Sequence, residues 1–408
     1  MIILAAGESR RLYPLVANQP TCMLRFLGKP LLEYQIKALV QRGIREIHIV
    51  RSEKDGQIIE DYFGSGSQWQ CFIDYSIQKI PRGVGDTISC GVDNLLDTGS
   101  FMVLFSDVFF YPELISRLFE TYNTLSPDVL TAITLVHQPR KFGVVEKEPS
   151  GRITSITEKP TTNAKRSHYV SAGFFILDNN LVGSIRQNKM DFIATLSQAI
   201  SEGQHVHGVL WEKDWIDITH PWDVLFANRM IMNDNLRESN ISPNVTIEAN
   251  VNIEHPIIIE RNAHIRSGAS LIGPVYIGEG ATVGHNALMR SHSAIDKNAV
   301  VGFTSEIKNS LLMEGARLHS LIYLGDSIID RYAVIGAGST SMNFVPKVDG
   351  HTTVHSKIEN EIVDTELEKC GVVVGEYSVV AVNNTLYPGI KLAPNTLTQP
   401  GEIIKEDQ

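Results

Sequence analysis

Three residues in the N-terminal half have groups that could hold a phosphate or a metal ion. Gly7 and Asp107 each follow an apolar segment, and Asp217 lies in the stretch WIDIT. A glycine after a strand lets backbone N–H groups face a phosphate, and carboxylate oxygens are ligands that Mg²⁺ prefers. Each residue alone also fits a plain turn or a helix cap, so the interpretation depends on the elements that position them.

Strand-like and helix-like segments alternate in this half. Ile2–Ala6 and Phe101–Phe105 are short apolar strands, and Leu31–Val40 has a helical pattern that begins directly after a proline. This order predicts an α/β domain with a mostly parallel sheet and helices on both faces. Ligands of such sheets bind beyond the carboxyl ends of the strands. The segments that meet this condition are Gly7–Pro14, Ser106–Phe110 and the stretch around Asp217.

The C-terminal part of the chain repeats with a period of six residues. Every sixth residue from Ile241 to Met313 is apolar, and mostly small residues recur two positions before the later ones. A period of six fits neither a helix nor a simple alternating strand, and it predicts a triangular coil of three flat strands rather than a β-sandwich. The repeat is interrupted over Glu314–Ile322 and again over about 340–371, where the free loops are expected to carry function.

The length, charge and cysteine content of the chain narrow the number of domains and the classes of protein that it can belong to. A chain of 408 residues is too long for one ordinary core, so we expect two domains, 1–232 and 233–408. A net charge of −10 without a long basic run argues against nucleic-acid binding, and no apolar run is long enough for a membrane span. Four scattered cysteines with no CxxC pair indicate neither a disulfide framework nor a structural zinc site, so a reducing cytoplasm is expected.

Eight ordered motifs in the N-terminal half resemble the sugar-1-phosphate nucleotidylyltransferase family. They are LAAGESRRLYPL at 4–15, GKPLLEYQI at 28–36, QKIPRGVGDTI at 78–88, VLFSDVFF at 103–110, KFGVVE at 141–146, ITEKP at 156–160, SAGFFIL at 171–177 and WIDITHPWDVLFAN at 215–228. The period-six half resembles the hexapeptide-repeat family. Together they resemble archaeal-type bifunctional nucleotidylyltransferase/amino-sugar N-acetyltransferases, which implies a Rossmann-like nucleotidyltransferase domain followed by a left-handed parallel β-helix.

The resemblance implies a reaction that joins a sugar 1-phosphate to a nucleoside triphosphate, with Mg²⁺, and releases pyrophosphate. Arg11, Asp107 and Lys159 are then expected to be catalytic, and Asp107 and Asp217 to bind the metal. The nucleotide is expected to contact Ala6, Gly7, Arg11, Gln78 and Gly83. The sugar phosphate is expected to contact Gly143, Glu158 and Lys159.

The chain departs from this family pattern at several positions. Ser9 stands at the second glycine of the loop, Arg10 at its Thr or Ser, and Ser171 at an asparagine. Thr21 stands at the phosphate-binding lysine, and loss of a transition-state cation typically lowers a rate by about 10²–10³. Arg10 or Arg25 could supply a replacement charge. The alternative is a regulatory or scaffolding homologue that binds nucleotide or nucleotide-sugar without turnover.

The β-helix half departs in a similar way. The acetyltransferases that it resembles have a histidine that acts as general base, and LHSLIYLGDS at 318–327 has His319 one residue early, with Ser320 at that position. Tyr323 and Asn343 match further site residues. The resemblance therefore implies acetyl-CoA as a co-substrate, or else a purely structural β-helix. It also implies a homo-oligomer, a trimer formed through the β-helix or a multiple of it.

Overall fold

A computed structural model describes residues 1–93, 99–139, 142–160, 167–188, 191–346 and 353–408. The chain separates into two compact units. The first unit contains Met1–Glu8, Gln19–Met23 and Pro30–Asp217, and the second contains Ser9–Asn18, Leu24–Lys29 and Ile218–Gln408. The domain boundary predicted at 232 remains a prediction, and each unit is described separately.

The chain up to residue 235 alternates strands and helices, as the sequence predicts. The strands are β1 (Ile2–Ala5), β2 (Arg25–Phe26), β3 (Lys29–Pro30), β4 (Glu46–Ser52), β5 (Phe72–Gln78), β6 (Ser100–Phe105), β7 (Val108–Phe109), β8 (Val129–Leu135), β9 (Gly143–Lys147), β10 (Ile153–Glu158), β11 (Tyr169–Asp178), β12 (Val206–Trp211) and β13 (Ile216–Asp217). The helices are α1 (Leu31–Gln41), α2 (Gln57–Phe63), α3 (Val84–Val92), α4 (Glu113–Leu125), α5 (Val182–Gln187), α6 (Phe192–Ser201) and α7 (Pro221–Asn235). Short 3₁₀ helices span Arg10–Leu12, Thr21–Met23, Ser67–Trp69 and Asn179–Leu181.

The main sheet of the first unit has the order β10-β9-β11-β6-β1-β4-β5, with β8 paired to β11 and β12 paired to β8. Strands β1, β4, β5 and β6 are mutually parallel, which confirms the Rossmann-like part of the prediction. Strand β11 runs antiparallel to β6, β8 and β9, so the sheet as a whole is mixed. The parallel strands end at one edge, where ligands of such sheets bind.

Two apolar layers cover opposite faces of this sheet. Consecutive residues of β1 point to different layers, since Ile2 packs with α3, α5 and α6 while Ile3 packs with α1, α2 and α4. Helix α1 begins after Pro30, and the chain leaves it at Gly43, whose φ of 83° is a conformation that glycine adopts readily. The sheet is thus a rigid platform that fixes the loops at its edge.

The second unit contains helix α7 and a left-handed parallel β-helix with three flat faces. The first face contains Asn240–Ile241, Ile257–Ile259, Val275–Ile277, Ser293–Ile295, Leu311–Leu312, Ile328–Ile329, Val373–Val374 and Lys391–Leu392. The second contains Thr246–Ile247, His264–Ile265, Thr282–Val283, Val300–Val301, Arg317–Leu318, Val334–Ile335 and Val379–Val380. The third contains Asn252–Glu254, Ser270–Ile272, Leu288–Met289, Glu306–Lys308, Tyr323–Gly325, Thr340–Ser341, Thr385–Leu386 and Ile403–Ile404.

The interior of the β-helix is filled by the apolar residues of the period-six pattern from Ile259 to Ile307, which confirms the fold prediction, whereas Ile241 and Ile247 at the start of the pattern are exposed. The next interior residue is Leu312 rather than Met313, because the corner after Ile307 is one residue shorter, and Ile295 pairs with Leu312. The predicted interruption over Glu314–Ile322 is therefore wrong. The coil continues there in the new phase, with Leu318 paired to Val301.

A true insertion separates two coils after the strand Thr340–Ser341. Its described part forms a hairpin of His355–Ile358 and Glu361–Asp364. Val354 and Ile358 pack with Trp222 of α7 in a small apolar cluster, so the insertion and α7 share a core inside the second unit. None of the helices in the described part of the chain combines the length and apolar composition that a membrane crossing requires.

Candidate functional site

The residues after β6 and those before α7 meet in a short antiparallel ladder in the first unit. Asp217 pairs with Val108, and Ile216 pairs with Phe109. Asp107 directly precedes this ladder, so the ladder holds the two aspartate backbones beside one another. Behind it, a Cβ on Gly173 would lie only 3.2 Å from Val108 Cγ1, and Gly173 has a φ of 77°. A glycine is therefore needed where β11 passes this turn.

The end of β1 lies next to the same turn. Leu4 pairs with Phe105, and the backbone N–H of Ser106 donates to the Leu4 carbonyl at 3.2 Å. Ala6 and Gly7 therefore emerge beside Ser106 and Asp107. Gly7 is exposed, and a Cβ there would meet nothing within 4 Å, so the space around it is open. An open loop at a parallel strand end suits a phosphate held by backbone N–H groups.

Thr21 lies in the 3₁₀ helix Thr21–Met23, which borders this region. Its side chain is buried, and its hydroxyl has no hydrogen-bond partner among the described residues. The neighbouring Cys22 thiol hydrogen-bonds Ser106, and burial raises the pKa of that thiol to about 12. The position at which the family resemblance implies a lysine is thus occupied by a buried neutral side chain next to the Ser106–Asp107 turn.

Gly143, Glu158 and Lys159 come together at the edge formed by β9 and β10. Gly143 pairs with Glu158, and a Cβ on Gly143 would lie 3.4 Å from Glu158 Oε2. Lys159 Nζ lies 3.5 Å from Glu158 Oε1, and Lys159 adopts a φ of 38°. A left-handed conformation is unfavourable for lysine, so this segment stores local strain of the kind found at binding sites. The three residues predicted to bind sugar phosphate form one cluster.

Trp215 connects this cluster to the aspartate ladder, and the sequence interpretation did not identify it. Its indole N–H donates to the Ala172 carbonyl at 3.0 Å, and its ring meets the Phe142 ring edge-on at 5.8 Å. Phe142 precedes Gly143, and Trp215 stands two residues before Asp217. The sequence signal that could have identified Trp215 is its place at the start of the WIDIT stretch, two residues before Asp217.

The other predicted nucleotide-binding residues have different surroundings. Gln78 is buried, its amide N–H donates to Asp86 at 2.8 Å, and its carbonyl accepts from the Thr87 hydroxyl at 3.1 Å. Gly83 has a φ of 113° and immediately precedes α3. The Gln78 side chain therefore supports the start of α3 in this structure, and its role in base recognition stays a prediction.

The arginines of the glycine-rich segment belong to the second unit. Ser9 adopts a left-handed φ of 46°, which explains why a glycine suits this position, and half-buried Arg11 lies in the 3₁₀ helix that follows. Arg10 is exposed. Arg25 Nη1 donates to the Gly28 carbonyl at 3.0 Å, so this candidate replacement for the missing cation already has a partner.

Asp107 and Asp217 have the donor chemistry that a divalent metal requires, but not a complete ligand set. In the described ranges, no group of three or more His, Cys, Asp or Glu side chains is arranged to hold a metal ion. Mg²⁺ commonly takes one or two carboxylates and completes its shell with phosphate oxygens and water. Two aspartates whose backbones lie side by side at the end of a parallel strand therefore fit a metal that arrives with its substrate, provided that both carboxylates turn towards it.

The residues predicted for acetyl transfer are only partly grouped in the second unit. The Asn343 amide donates to Asp326 Oδ2 at 2.6 Å, and the Asn309 amide donates to Asp326 Oδ1 at 2.7 Å. Tyr323 lies against Asn343, and burial together with nearby carboxylates raises the pKa of its phenol. His319 is exposed at the preceding corner, where Leu321 has a φ of 61°.

Two family models match the chain. The model described as Nucleotidyl transferase matches residues 1–234, and the model described as GMPPB C-terminal domain matches residues 271–383. Among curated relatives, the bifunctional protein GlmU of Methanococcus maripaludis (strain C5) is 30% identical over all of this chain and 94% of its own length. The bifunctional sugar-1-phosphate nucleotidylyltransferase/acetyltransferase of Sulfurisphaera tokodaii is 28% identical over 99% of this chain and 97% of its own length.

More distant proteins share parts of the chain. Mannose-1-phosphate guanylyltransferase 1 of Arabidopsis thaliana is 25% identical over 82% of this chain and 87% of its own length. A crystal structure from Bacillus anthracis, described as that of a glucose-1-phosphate thymidylyltransferase, covers 56% of this chain and 93% of its own chain, with a TM-score of 0.52 and 20% identity. The structural likeness concerns the fold alone.

Proposed function

The chain belongs to the nucleotidyl transferase family, and on that premise we propose that its N-terminal half joins a sugar 1-phosphate to a nucleoside triphosphate and releases pyrophosphate. The observation that carries the proposal is the pairing of Asp217 with Val108, beside Asp107 and next to the end of β1. Two carboxylates and an open glycine loop therefore share one strand edge, which suits a metal-bound triphosphate.

In this reaction the sugar phosphate is itself the nucleophile, so the protein contributes position and charge rather than a nucleophilic side chain. Backbone N–H groups at Ala6 and Gly7 would hold phosphate oxygens, and Glu158 and Lys159 would hold the sugar and its phosphate. Arg11 would clamp a phosphate in bidentate fashion. The divalent metal, which we propose to be Mg²⁺ held by Asp107 and Asp217, would neutralise phosphate charge when bound.

A substrate matrix tests this function. Purified full-length protein is incubated with each nucleoside triphosphate, a set of hexose 1-phosphates and Mg²⁺, and pyrophosphate release is measured. We expect one combination to exceed the Asp107→Ala variant by at least a hundredfold. Pyrophosphate release equal to that of the variant in every combination would overturn the proposal.

A second candidate function is nucleotide or nucleotide-sugar binding without turnover. The observation in its favour is Thr21, a buried neutral residue at the position where the resemblance implies a phosphate-binding lysine. Binding measured by calorimetry together with no pyrophosphate release would support it. Turnover at a rate typical of enzymes, about 1–10³ per second, would exclude it.

For the β-helix half we propose acetyl transfer from acetyl-CoA to the amine of an amino-sugar phosphate. The names of the two archaeal relatives and the grouping of Tyr323, Asn343 and Asp326 support this proposal. The test is release of free thiol from acetyl-CoA in the presence of glucosamine 1-phosphate and galactosamine 1-phosphate. Thiol release no faster than without an amine would exclude it for these acceptors.

We also propose that the chain forms a homo-oligomer through the β-helix, with a trimer as the expected state. Apolar side chains are exposed at one corner of successive coils, where Phe303 and Leu321 are adjacent and Val382 stands further along. Contiguous exposed apolar surface of this kind marks interaction sites. Light scattering coupled to size exclusion measures the mass, and a Phe303→Ser/Leu321→Asn variant is expected to shift it towards the monomer. A wild-type mass equal to that of one chain would exclude the oligomer.

A further inference from the structure

The segment Ser9–Asn18, which carries the two arginines of the glycine-rich motif, belongs to the same compact unit as the β-helix. Tight turns follow one another along this segment. In each turn a backbone N–H donates to the carbonyl three residues earlier, at 2.9, 3.1 and 3.1 Å for Leu12, Leu15 and Ala17. Because these turns are consecutive, a contact at Asn18 influences the position of Arg11.

Asn18 ends the segment on a carboxylate of the β-helix. Its amide N–H donates to Glu376 Oε2 at 2.8 Å, and Arg331 Nη2 lies 3.1 Å from Glu376 Oε1. Both oxygens of the carboxylate are therefore engaged, and Glu376 is buried. A buried carboxylate costs free energy unless it is paired and hydrogen-bonded, so loss of the Asn18 amide would leave one of its oxygens without that donor.

The burial of this ion pair distinguishes it from the equivalent pair on earlier coils. Arg261 and Glu279 stand at the same corner, two positions after an interior residue of the first face, and pair at 3.0 Å with side chains 66% and 32% exposed. For Arg331 and Glu376 the exposed fractions are 24% and 9%. An ion pair that only links two coils stays at the surface, as the earlier pair does. The deeper burial of the later pair indicates that the segment ending at Asn18 covers this corner.

A second segment of the N-terminal half, Leu24–Lys29, also lies against the β-helix within the second unit. A Cβ on Gly28 would come within 2.6 Å of the Tyr276 hydroxyl, and Gly28 has a φ of 75°, so a glycine is needed at this contact. Tyr276 is buried on the first face of the β-helix. The β-helix therefore holds the chain on both sides, in sequence, of the 3₁₀ helix that contains Thr21.

We propose that Glu376 and Arg331 are positioning residues for nucleotidyl transfer, an inference that rests on the function proposed for the N-terminal half. Through Asn18 they fix the segment that brings Arg11 to a phosphate of the nucleotide. The phosphate clamp is thus supported by the C-terminal half of the chain. Displacing a group at a reaction site by about 1 Å is enough to lower a rate by about 10², so loss of this support affects turnover.

Steady-state pyrophosphate release by the full-length protein tests the proposal, with the substrate pair that the substrate matrix identifies. Asn18→Ala and Glu376→Ala are expected to lower kcat/KM for the nucleoside triphosphate at least tenfold. The KM of the sugar 1-phosphate should stay within twofold of wild type, because Arg11 is expected to contact the nucleotide. Glu279→Ala, which removes the matched corner ion pair, should keep wild-type kinetics. Unchanged triphosphate kinetics in both Asn18→Ala and Glu376→Ala would overturn the proposal, as would an equal effect of Glu279→Ala.

A reversed hydrogen bond distinguishes positioning from stability. Asn18→Asp places a second carboxylate against Glu376, and the repulsion should lower kcat/KM at least as far as Asn18→Ala does. In Asn18→Asp/Glu376→Gln the glutamine amide can donate to the aspartate, and this double variant is expected to return to within threefold of wild type. A double variant no more active than Asn18→Asp contradicts the proposal, and so do variants that change Tm while their kinetics below Tm stay those of the wild type.

Hydrogen exchange of backbone amides provides a measurement that does not require turnover. The amides of Leu12, Leu15 and Ala17 are expected to exchange at least tenfold faster in Asn18→Ala than in the wild type, and at the wild-type rate in Glu279→Ala. Unchanged exchange in Asn18→Ala overturns the anchoring of the segment.

Failure of the proposed function has a different signature, since the wild type itself would then release no pyrophosphate from any substrate pair. In that case the affinity for each nucleoside triphosphate with Mg²⁺, measured by calorimetry, replaces the kinetic measurement. Asn18→Ala is expected to bind the tightest triphosphate at least tenfold more weakly than the wild type. Equal affinities of the two proteins overturn the positioning role.

Discussion

Asp217 pairs with Val108 across a two-residue antiparallel ladder, which holds its backbone beside that of Asp107. Asp107 and Asp217 are separated by 110 positions in the chain, yet their relative position depends on very few elements. Strand β6 delivers Asp107, and β13 returns the chain to it. Trp215, through its hydrogen bond to the Ala172 carbonyl, fixes the approach of β13 to β11. Catalysis that uses both carboxylates therefore depends on this ladder.

Replacing Asp107 or Asp217 by asparagine is expected to lower kcat/KM for pyrophosphate release by at least about 10², because each variant removes one anionic ligand of the proposed metal site while it keeps the side-chain shape. The exposed Asp214, three residues before Asp217, provides the matched control, and Asp214→Asn should retain wild-type activity. The measurement is steady-state kinetics over a range of Mg²⁺ concentrations. Activity of Asp217→Asn within threefold of wild type would remove Asp217 from the metal site.

Thr21→Lys is expected to raise kcat for pyrophosphate release by about 10- to 100-fold, since it introduces a cation beside the Ser106–Asp107 turn. The same change overfills a buried position and should lower stability by about 1–3 kcal/mol. Thr21→Met, with similar length and no charge, controls for the overfilling. If both variants have the same kcat, charge at this position does not limit the rate.

Stability should fall as the pH rises from about 4 to 7 because of Asp330. Burial raises the pKa of its carboxyl to about 7 in the folded chain, whereas an unfolded aspartate titrates near 3.9. Between these values the folded state binds more protons than the unfolded state, so deprotonation favours unfolding, by at most about 4 kcal/mol.

Asp330→Asn keeps an acceptor for the Arg331 backbone N–H and does not titrate. The variant should have a higher Tm than wild type at pH 8, and the gain should vanish at pH 4. Thermal unfolding at several pH values measures this, with the exposed Asp214→Asn as control. If the difference in Tm between pH 4 and pH 8 is the same in Asp330→Asn as in the wild type, the pH dependence of stability does not come from Asp330.

Variants of Asn343 and Asn309 distinguish a structural role from a role in acetyl transfer in the β-helix half. Each donates one hydrogen bond to the Asp326 carboxylate, so each alanine variant should lose about 1.5–3 kcal/mol of stability. Only Asn343 also contacts Tyr323, and only Asn343→Ala is expected to slow acetyl transfer, by at least tenfold. Thiol release from acetyl-CoA measures the rate, and equal slowing in both variants would indicate a merely structural role. His319→Ala is measured in the same assay: if His319 is the general base of the proposed transfer, its removal should lower the rate by about 10²–10⁴.

The sequence predicted the large-scale architecture well because its signals are periodic. Alternating strands and helices predicted a sheet with parallel strands, among them β1 and β6, and apolar residues at every sixth position predicted the β-helix interior. The phase after Ile307 was predicted wrongly, because a corner shortened by one residue moves Leu312 into the interior without any change in composition. An apolar residue stands at both 312 and 313, so the period alone could not choose between them.

The candidate site was predictable only where it follows strand ends. Asp107 and Gly7 come directly after neighbouring parallel strands, which is why they could be expected to lie close together. The antiparallel ladder that adds Asp217 depends on tertiary folding, and so do the hydrogen bonds that engage the Gln78 side chain. Side-chain partners of this kind involve residues whose spacing carries no periodic signal.

Two corners between the third and the first face of the β-helix, those after Ile307 and Leu324, are each one residue shorter than the regular corners on this edge. The next interior residues, Leu312 and Ile329, therefore follow after five positions instead of six. A deletion at this edge is therefore absorbed locally, and downstream strands keep the same side chains inside. The same deletion within a strand would turn every later interior residue towards solvent. Natural length variation in this half is accordingly expected to accumulate at that edge, because a corner can lose a residue without changing which side chains of the later strands face the interior.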